Sequence, residues 1–262
     1  MASPPLFHKG VLQAKKNIRL VLAYDGCRYH GWQRQKAALT IQGALEERIQ
    51  LIISEPVKLM ASGRTDAGVH ALHQVCHFIS GSAIAPESIR RALNSLLPAD
   101  IFVSQAEYVP LDFHARYSAR SKIYEYRILN RKEPDPFLRF YTWYIPTPLD
   151  FSEMQKCLPA LLGRHDFSSF MASGSRNRDP VREMIRAELH QIEGGLLRFI
   201  FEADGFLRHM VRNIVGTIVE VGRGKRPLQE FTEILQSRDR RMAGVKAPPQ
   251  GLFLQMVRYD SL

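Results

Sequence analysis

The sequence predicts an α+β protein built from two βαββαβ halves. Three observations carry this reading. Apolar side chains alternate along some segments and recur at three- and four-residue spacing along others. The order strand, helix, strand, strand, helix, strand occurs twice, with a division near residues 110–120. The chain has 262 residues and is 45% hydrophobic, enough to bury a full core.

The leader 1–16, MASPPLFHKGVLQAKK, lacks the apolar core of a secretory signal. It is acid-free, as a transit peptide would be, but contains no arginine, and it is expected to be a loose leader. NIRLVLAYD then alternates Ile18, Leu20, Leu22 and Tyr24 with Arg19, Val21, Ala23 and Asp25, a strand pattern. TIQGALEERIQLII places Ile41, Leu45, Ile49 and Ile52 on one helical stripe, with Thr40 as its N-cap. VKLMAS and HQVCHFIS read as strands. PESIRRALNSLLP is a helix that Pro86 starts and Pro98 stops, and DIFVSQAEYV closes this half as a strand.

SKIYEYRIL opens the second half as a strand. DFSEMQKCLPALLG reads as a helix with Asp150 and Glu153 at capping-box spacing and Pro159 awkward in its interior. VREMIRAELHQI and LLRFIFEAD are strands joined at Gly194-Gly195, a hairpin signal. FLRHMVRNIVGTIVEVG and LQEFTEILQS are helices, and GLFLQMVRY is the last strand. SGSRNRDP, residues 173–180, reads as a mobile basic loop. The expected units are 17–112 and 113–262. Each has the ferredoxin-like or RRM-like element order, giving a mixed, mainly antiparallel sheet with helices on one side.

Lys and Arg outnumber Asp and Glu by 36 to 26, a net charge of +10. That balance favours a polyanionic partner, nucleic acid before a membrane surface. The cysteines, Cys27, Cys76 and Cys157, form no CxxC pair, so neither a disulfide framework nor a zinc ribbon is encoded. Free thiols suit the reducing cytoplasm. No apolar run approaches the roughly 20 residues that span a bilayer.

Four places can carry chemistry. In ASGRTDAGVHALHQ, Asp66 sits among small residues, two places after Arg64. Asp-Ala-Gly is ordinary turn chemistry. A carboxylate acting as base or nucleophile also wants a cation beside it, so both readings stand. His70, His73, Cys76 and His77 tempt a metal reading, but strand alternation sets Cys76 opposite His73 and His77, which favours histidines lining a sheet or cleft. FHARYSARSKIYEYRILNR interleaves Phe113, His114, Tyr117, Tyr124 and Tyr126 with Arg116, Arg120, Lys122 and Arg127. That pattern suits stacking on bases with guanidinium groups on phosphates, or a strand whose tyrosines face the core. Arg208 and Arg212 lie one turn apart near the start of a predicted helix. There they oppose its dipole unless an anion offsets them. No Walker A loop, GxGxxG after a strand or GxSxG elbow is present.

Together these stretches resemble the TruA family of tRNA pseudouridine synthases. GRTDAGVHALHQ is similar to its catalytic signature. YDGCRYHGWQRQ, TIQGALEE, FHARYSARSKIYEYRI, FLRHMVRNIVG and APPQGLFL extend the resemblance along nearly the whole chain. The resemblance implies isomerisation of uridine to pseudouridine in the anticodon arm of tRNA, at positions thirty-eight to forty. It implies a basic cleft, a homodimer, and no metal or organic cofactor. By motif match, Asp66 takes the place of the essential aspartate, Tyr124 of the tyrosine that stacks on the base, and Arg212 of the arginine paired with the aspartate. Arg64 matches the arginine that displaces the target base. His70, His114, Arg116 and Arg208 join it as expected substrate contacts.

Overall fold

The computed structural model describes residues 14–174 and 179–260. Residues 1–13 of the expected leader and 175–178 of the expected basic loop lie outside them. The first half contains β1 (Lys16–Tyr24), α1 (Ile41–Ile53), β2 (Met60–Ala61), β3 (His70–Ser80), α2 (Pro86–Leu96) and β4 (Ile101–Val109). The second contains β5 (Ala119–Asn130), β6 (Trp143–Ile145), α3 (Phe151–Lys156), β7 (Gly163–Asp166), β8 (Val181–Ile192), β9 (Leu196–Ala203), α4 (Met210–Gly222), α5 (Leu228–Ser237) and β10 (Leu252–Tyr259). Among the described residues no helix is long and apolar enough to cross a membrane.

One sheet runs through both halves in the order β4-β1-β3-β10-β5-β9-β8-β7. β2 pairs with β3, and β6 lies beside β5. Setting β6 and β7 aside, each half has its fourth, first, third and second strands in that spatial order, antiparallel throughout. The seam between them is a short parallel pairing of β3 with β10, Phe253 opposite His70 and Leu254 opposite Ala71.

Local chemistry accounts for most element ends. The Thr40 hydroxyl accepts from the Gly43 N–H at 3.3 Å and caps α1, whose Ile41, Leu45 and Ile49 are fully buried. Asp150 caps α3 by accepting from the Glu153 N–H at 2.9 Å. Gly194 and Gly195 take positive φ at the β8–β9 hairpin. Three expectations need correction. The helix expected over 150–163 stops at Lys156 and continues as a tight 3₁₀ turn over Leu158–Leu161, because Pro159 brings no N–H to an α-helical ladder. α4 begins at Met210 rather than 206, because His209 holds φ at 65°. Arg208 is therefore outside the helix. The strand expected in VKLMAS shrinks to two residues.

The 113–118 turn is tied to the sheet from several sides. The Asn17 amide donates to the Phe113 carbonyl at 2.9 Å, the Tyr259 hydroxyl to the Ala115 carbonyl at 2.6 Å, and the Ala115 N–H to His77 Nδ1 at 3.1 Å. Burial, helped by neighbouring His114, pushes the His77 imidazole down from 6.5 to about 4. The unfolded chain therefore takes up this proton at a higher pH than the folded one. The resulting stability is fully present above pH 6.5 and is lost as pH falls toward 4, by about 1–3 kcal/mol. His77→Asn keeps an acceptor near Nδ1 but does not titrate. Urea unfolding across this range is expected to show a shallower acid loss in the variant than in the parent.

Candidate active site

The loop over 62–69 is shaped from two sides. On one side the 26–32 segment cradles it. The Trp32 N–H donates to the Thr65 carbonyl at 3.0 Å and the Gly68 N–H to the Tyr29 carbonyl at 3.3 Å. Gly31 has φ of 86°, and a Cβ there would sit 2.6 Å from the Thr65 oxygen, so the close approach requires glycine. On the other side a buried polar network holds the loop. The Thr65 and Tyr24 hydroxyls meet at 2.8 Å, and the Gln74 amide donates to the Gly63 carbonyl at 3.0 Å while accepting from the Ser62 hydroxyl at 2.7 Å. Burial pushes the Tyr24 phenol up to about 12, so it stays protonated. Thr65 is buried, and next to it the Asp66 side chain is partly open, 28% exposed.

Arg212, on the first turn of α4, reaches Asp66 from the other half of the sheet. Its Nη1 donates to Asp66 Oδ2 at 3.0 Å and its Nε to the Ala247 carbonyl at 2.8 Å. The Ala247 N–H returns a bond to the Arg212 carbonyl at 3.0 Å. The guanidinium is buried and pre-aimed, so its charge is fixed on one carboxylate oxygen. His209 Nε2 lies 3.4 Å from the same Oδ2. Burial lowers the His209 pKa more than the Asp66 charge raises it, which favours neutral imidazole. Among the described residues nothing hydrogen-bonds Oδ1, the other oxygen.

Tyr124 is buried, with Phe206 edge-on to its ring at 5.0 Å. Burial raises its phenol well above the ordinary value, with the charge of Asp66 adding to the effect. Tyr126, two residues along, is fully buried and donates to the Pro248 carbonyl at 2.7 Å, which fixes it in the core.

The remaining residues expected to hold substrate fall into two groups. Arg64, Arg116 and Arg208 are exposed. Arg208 joins His209, Asn213, Arg240 and Lys246 around a cavity of about 310 Å³ beside the carboxylate. His70 and His114 are engaged within the protein. His70 is buried, accepts at Nδ1 from the Gly26 N–H, donates from Nε2 to the Phe140 carbonyl, both at 3.1 Å, and stacks on Phe253. His114 packs against His77 and accepts at Nδ1 from the Arg116 N–H at 3.1 Å. Neither forms a hydrogen bond or ion pair with Asp66.

His70, His73, Cys76 and His77 do not gather their donor atoms. Among the described residues the one cluster of potential metal ligands is Asp25, Cys27 and His70. Its donors are already engaged. Asp25 accepts from the Tyr141 hydroxyl at 2.7 Å and the Cys27 N–H at 2.9 Å, and burial, reinforced by Asp25, pushes the Cys27 thiol up to about 12. We read the group as a latch between the 25–27 turn and the 140–141 segment.

The sequence reading missed His209 and Phe206, although both stand in the quoted FLRHMVRNIVG stretch beside Arg212. Gly216, in the same stretch, lets the chain over 243–247 lie against α4. A Cβ on Gly216 would meet the Val245 oxygen at 1.7 Å. Gly216→Ala is expected to displace that segment, and with it the carbonyl that aims Arg212. It should cost about 1–3 kcal/mol or more in urea unfolding.

The family described as tRNA pseudouridine synthase matches residues 20–118 and 158–260. The tRNA pseudouridine synthase A of Thermoanaerobacter sp. (strain X514) is 47% identical over 244 residues, 93% of this chain and 100% of that protein. That of Acetivibrio thermocellus is 44% identical over the same shares. Among solved structures, a Cbf5–Nop10–Gar1 complex aligns with a TM-score of 0.35 at 13% identity, over 77% of this chain and 45% of that one, too distant to carry an argument. The two matched segments contain the Asp66 loop and the Arg212 helix, and the chain belongs to the tRNA pseudouridine synthase family.

Proposed function

We propose that the protein isomerises uridine to pseudouridine at positions thirty-eight to forty in the anticodon arm of tRNA, with Asp66 as the essential group. One observation carries the reading: Asp66, its side chain 28% exposed, has one oxygen held by Arg212 and the other without a hydrogen-bond partner among the described residues. The reaction breaks the C1′–N1 bond, turns the uracil and rejoins it through C5. A base inside a stacked stem is out of reach, so it must be extruded, at a cost of a few kcal/mol. Arg64, exposed two residues before Asp66, takes the place the base leaves or holds a phosphate. Oδ1 then attacks C1′ or removes the ribose 2′ proton, and both routes use the same oxygen. Tyr124, with Phe206 behind it, supports the detached uracil while it turns. A base then takes the C5 proton. His70 and His114 shape the walls of the cleft.

On this reading the 17–112 unit supplies the carboxylate and the 113–262 unit the guanidinium, across a basic cleft, in the cytoplasm and without a metal or organic cofactor. A homodimer fits as well. Phe102 pairs with Ala23 on β1, and β3 on the other side of β1 carries Leu72 within its irregular stretch between Ala71 and Gln74, so two half-exposed apolar side chains stand on strands that flank β1.

A tRNA transcript with tritium on uracil C5 tests the proposal. The parent protein should release label. Asp66→Ala should release none while still binding tRNA, and equal release from both would overturn the role of Asp66. Binding without release by the parent would leave a non-catalytic RNA-binding module. Arg212→Lys keeps a charge but cannot hold both the Ala247 carbonyl and Oδ2 in one plane. Its turnover rate should fall about a hundredfold with a small change in KM.

A further inference from the structure

Lys122 stands on β5 two residues before Tyr124, so the two side chains leave the strand on the same face. It is only 9% exposed. Its Cε lies 3.8 Å from where a Cβ on Gly63 would be, which puts the stem of the side chain against the start of the Asp66 loop. Among the described residues its ammonium makes no hydrogen bond and no ion pair. The charged groups facing it are Arg116 from the 113–118 turn, Arg182 from β8 and Asp204 from the β9–α4 connection. The carboxylate among them, Asp204, already accepts from the Glu183 N–H at 3.1 Å.

The ammonium nitrogen itself keeps an opening to solvent at the end of a largely buried stem, and a partly desolvated charge without a partner costs free energy. Burial, with Arg116 and Arg182 adding repulsion, pushes the Lys122 pKa down to about 8. Two arginines and a lysine thus converge beside Tyr124, at the place where an RNA strand would pass if its extruded nucleotide reached Asp66. We propose that Lys122 is the ligand of a backbone phosphodiester in that strand, next to the target nucleotide. This rests on the reading of Asp66 given above. The phosphate is the counter-ion that the described residues do not supply, and it holds the strand in register with Tyr124.

Only the protonated lysine binds a phosphate in this way. Affinity is therefore fully present below pH 8 and falls as pH rises through it. Arginine and aspartate side chains do not titrate in that range, and the Tyr124 phenol is held far above it.

Binding is measured in the Asp66→Ala background, where no turnover occurs, by fluorescence anisotropy with a tRNA transcript between about pH 6.5 and 9 and over a series of salt concentrations. Lys122→Met should bind about tenfold more weakly near neutrality. Its log–log salt slope should be shallower by about 0.7. Lys122→Arg should match the parent near neutrality and lose the alkaline fall in affinity, which separates Lys122 from Lys246 near Asp66. Lys122→Met with the parent's affinity and slope would overturn the proposal, and so would Lys122→Arg binding as weakly as Lys122→Met. If Lys122→Met fails to fold in a thermal melt, Lys122→Arg decides alone, and an alkaline fall equal to the parent's would overturn it. Label release by the unsubstituted protein reports separately on the isomerase reading. Lys122-dependent binding without release would end that reading and leave the phosphate contact. Release with Lys122-independent binding would do the reverse.

Discussion

A buried guanidinium and a half-open carboxylate, 3.0 Å apart and 146 residues apart in the chain, hold this structure to its purpose. Burying Arg212 is costly unless its donors are met. Ala247 meets one and Asp66 another, so both halves of the sheet contribute to a single satisfied group. The same contact leaves Asp66 asymmetric, with one oxygen committed to Arg212 and the other without a hydrogen bond among the described residues. Much of the surrounding packing serves to keep that asymmetry in place.

The supporting contacts converge on backbone rather than on long side chains. Gly31 admits the Thr65 carbonyl, and Gly216 admits the Val245 carbonyl. Gly251, whose Cβ would lie 2.7 Å from the Arg127 oxygen, lets the start of β10 close over β5. Each is a place where two segments touch too closely for any side chain. These glycines lie in or beside the stretches YDGCRYHGWQRQ, FLRHMVRNIVG and APPQGLFL, which the sequence reading had singled out without knowing which segments they join.

The strand and helix order was legible because alternation and helical stripes are local, and the caps at Thr40 and Asp150 are local too. Arg212 drew notice as a cation near the start of a predicted helix, where it opposes the dipole. His209 did not, because a left-handed backbone at a non-glycine residue leaves no pattern in the sequence. The short β6 and β7 were missed because three or four residues are too few to show a period. Lys122 was seen as one cation in a basic-aromatic run, but its burial depends on the Gly63 loop, which approaches from sixty positions upstream. His70 is buried and hydrogen-bonded because Gly26 and Phe140 approach it from distant positions, which no local pattern shows.

The position of β10 has a consequence for how the molecule is made. It is the last of the described strands to leave the ribosome, yet it lies mid-sheet between β3 and β5. Until it arrives, two long strands have uncovered flanks, each a template for pairing with another chain. Arg212 likewise has no Ala247 carbonyl to settle against until that later segment has been made. A nascent chain can thus assemble most of its secondary structure and still be unable to set the Asp66–Arg212 pair in place.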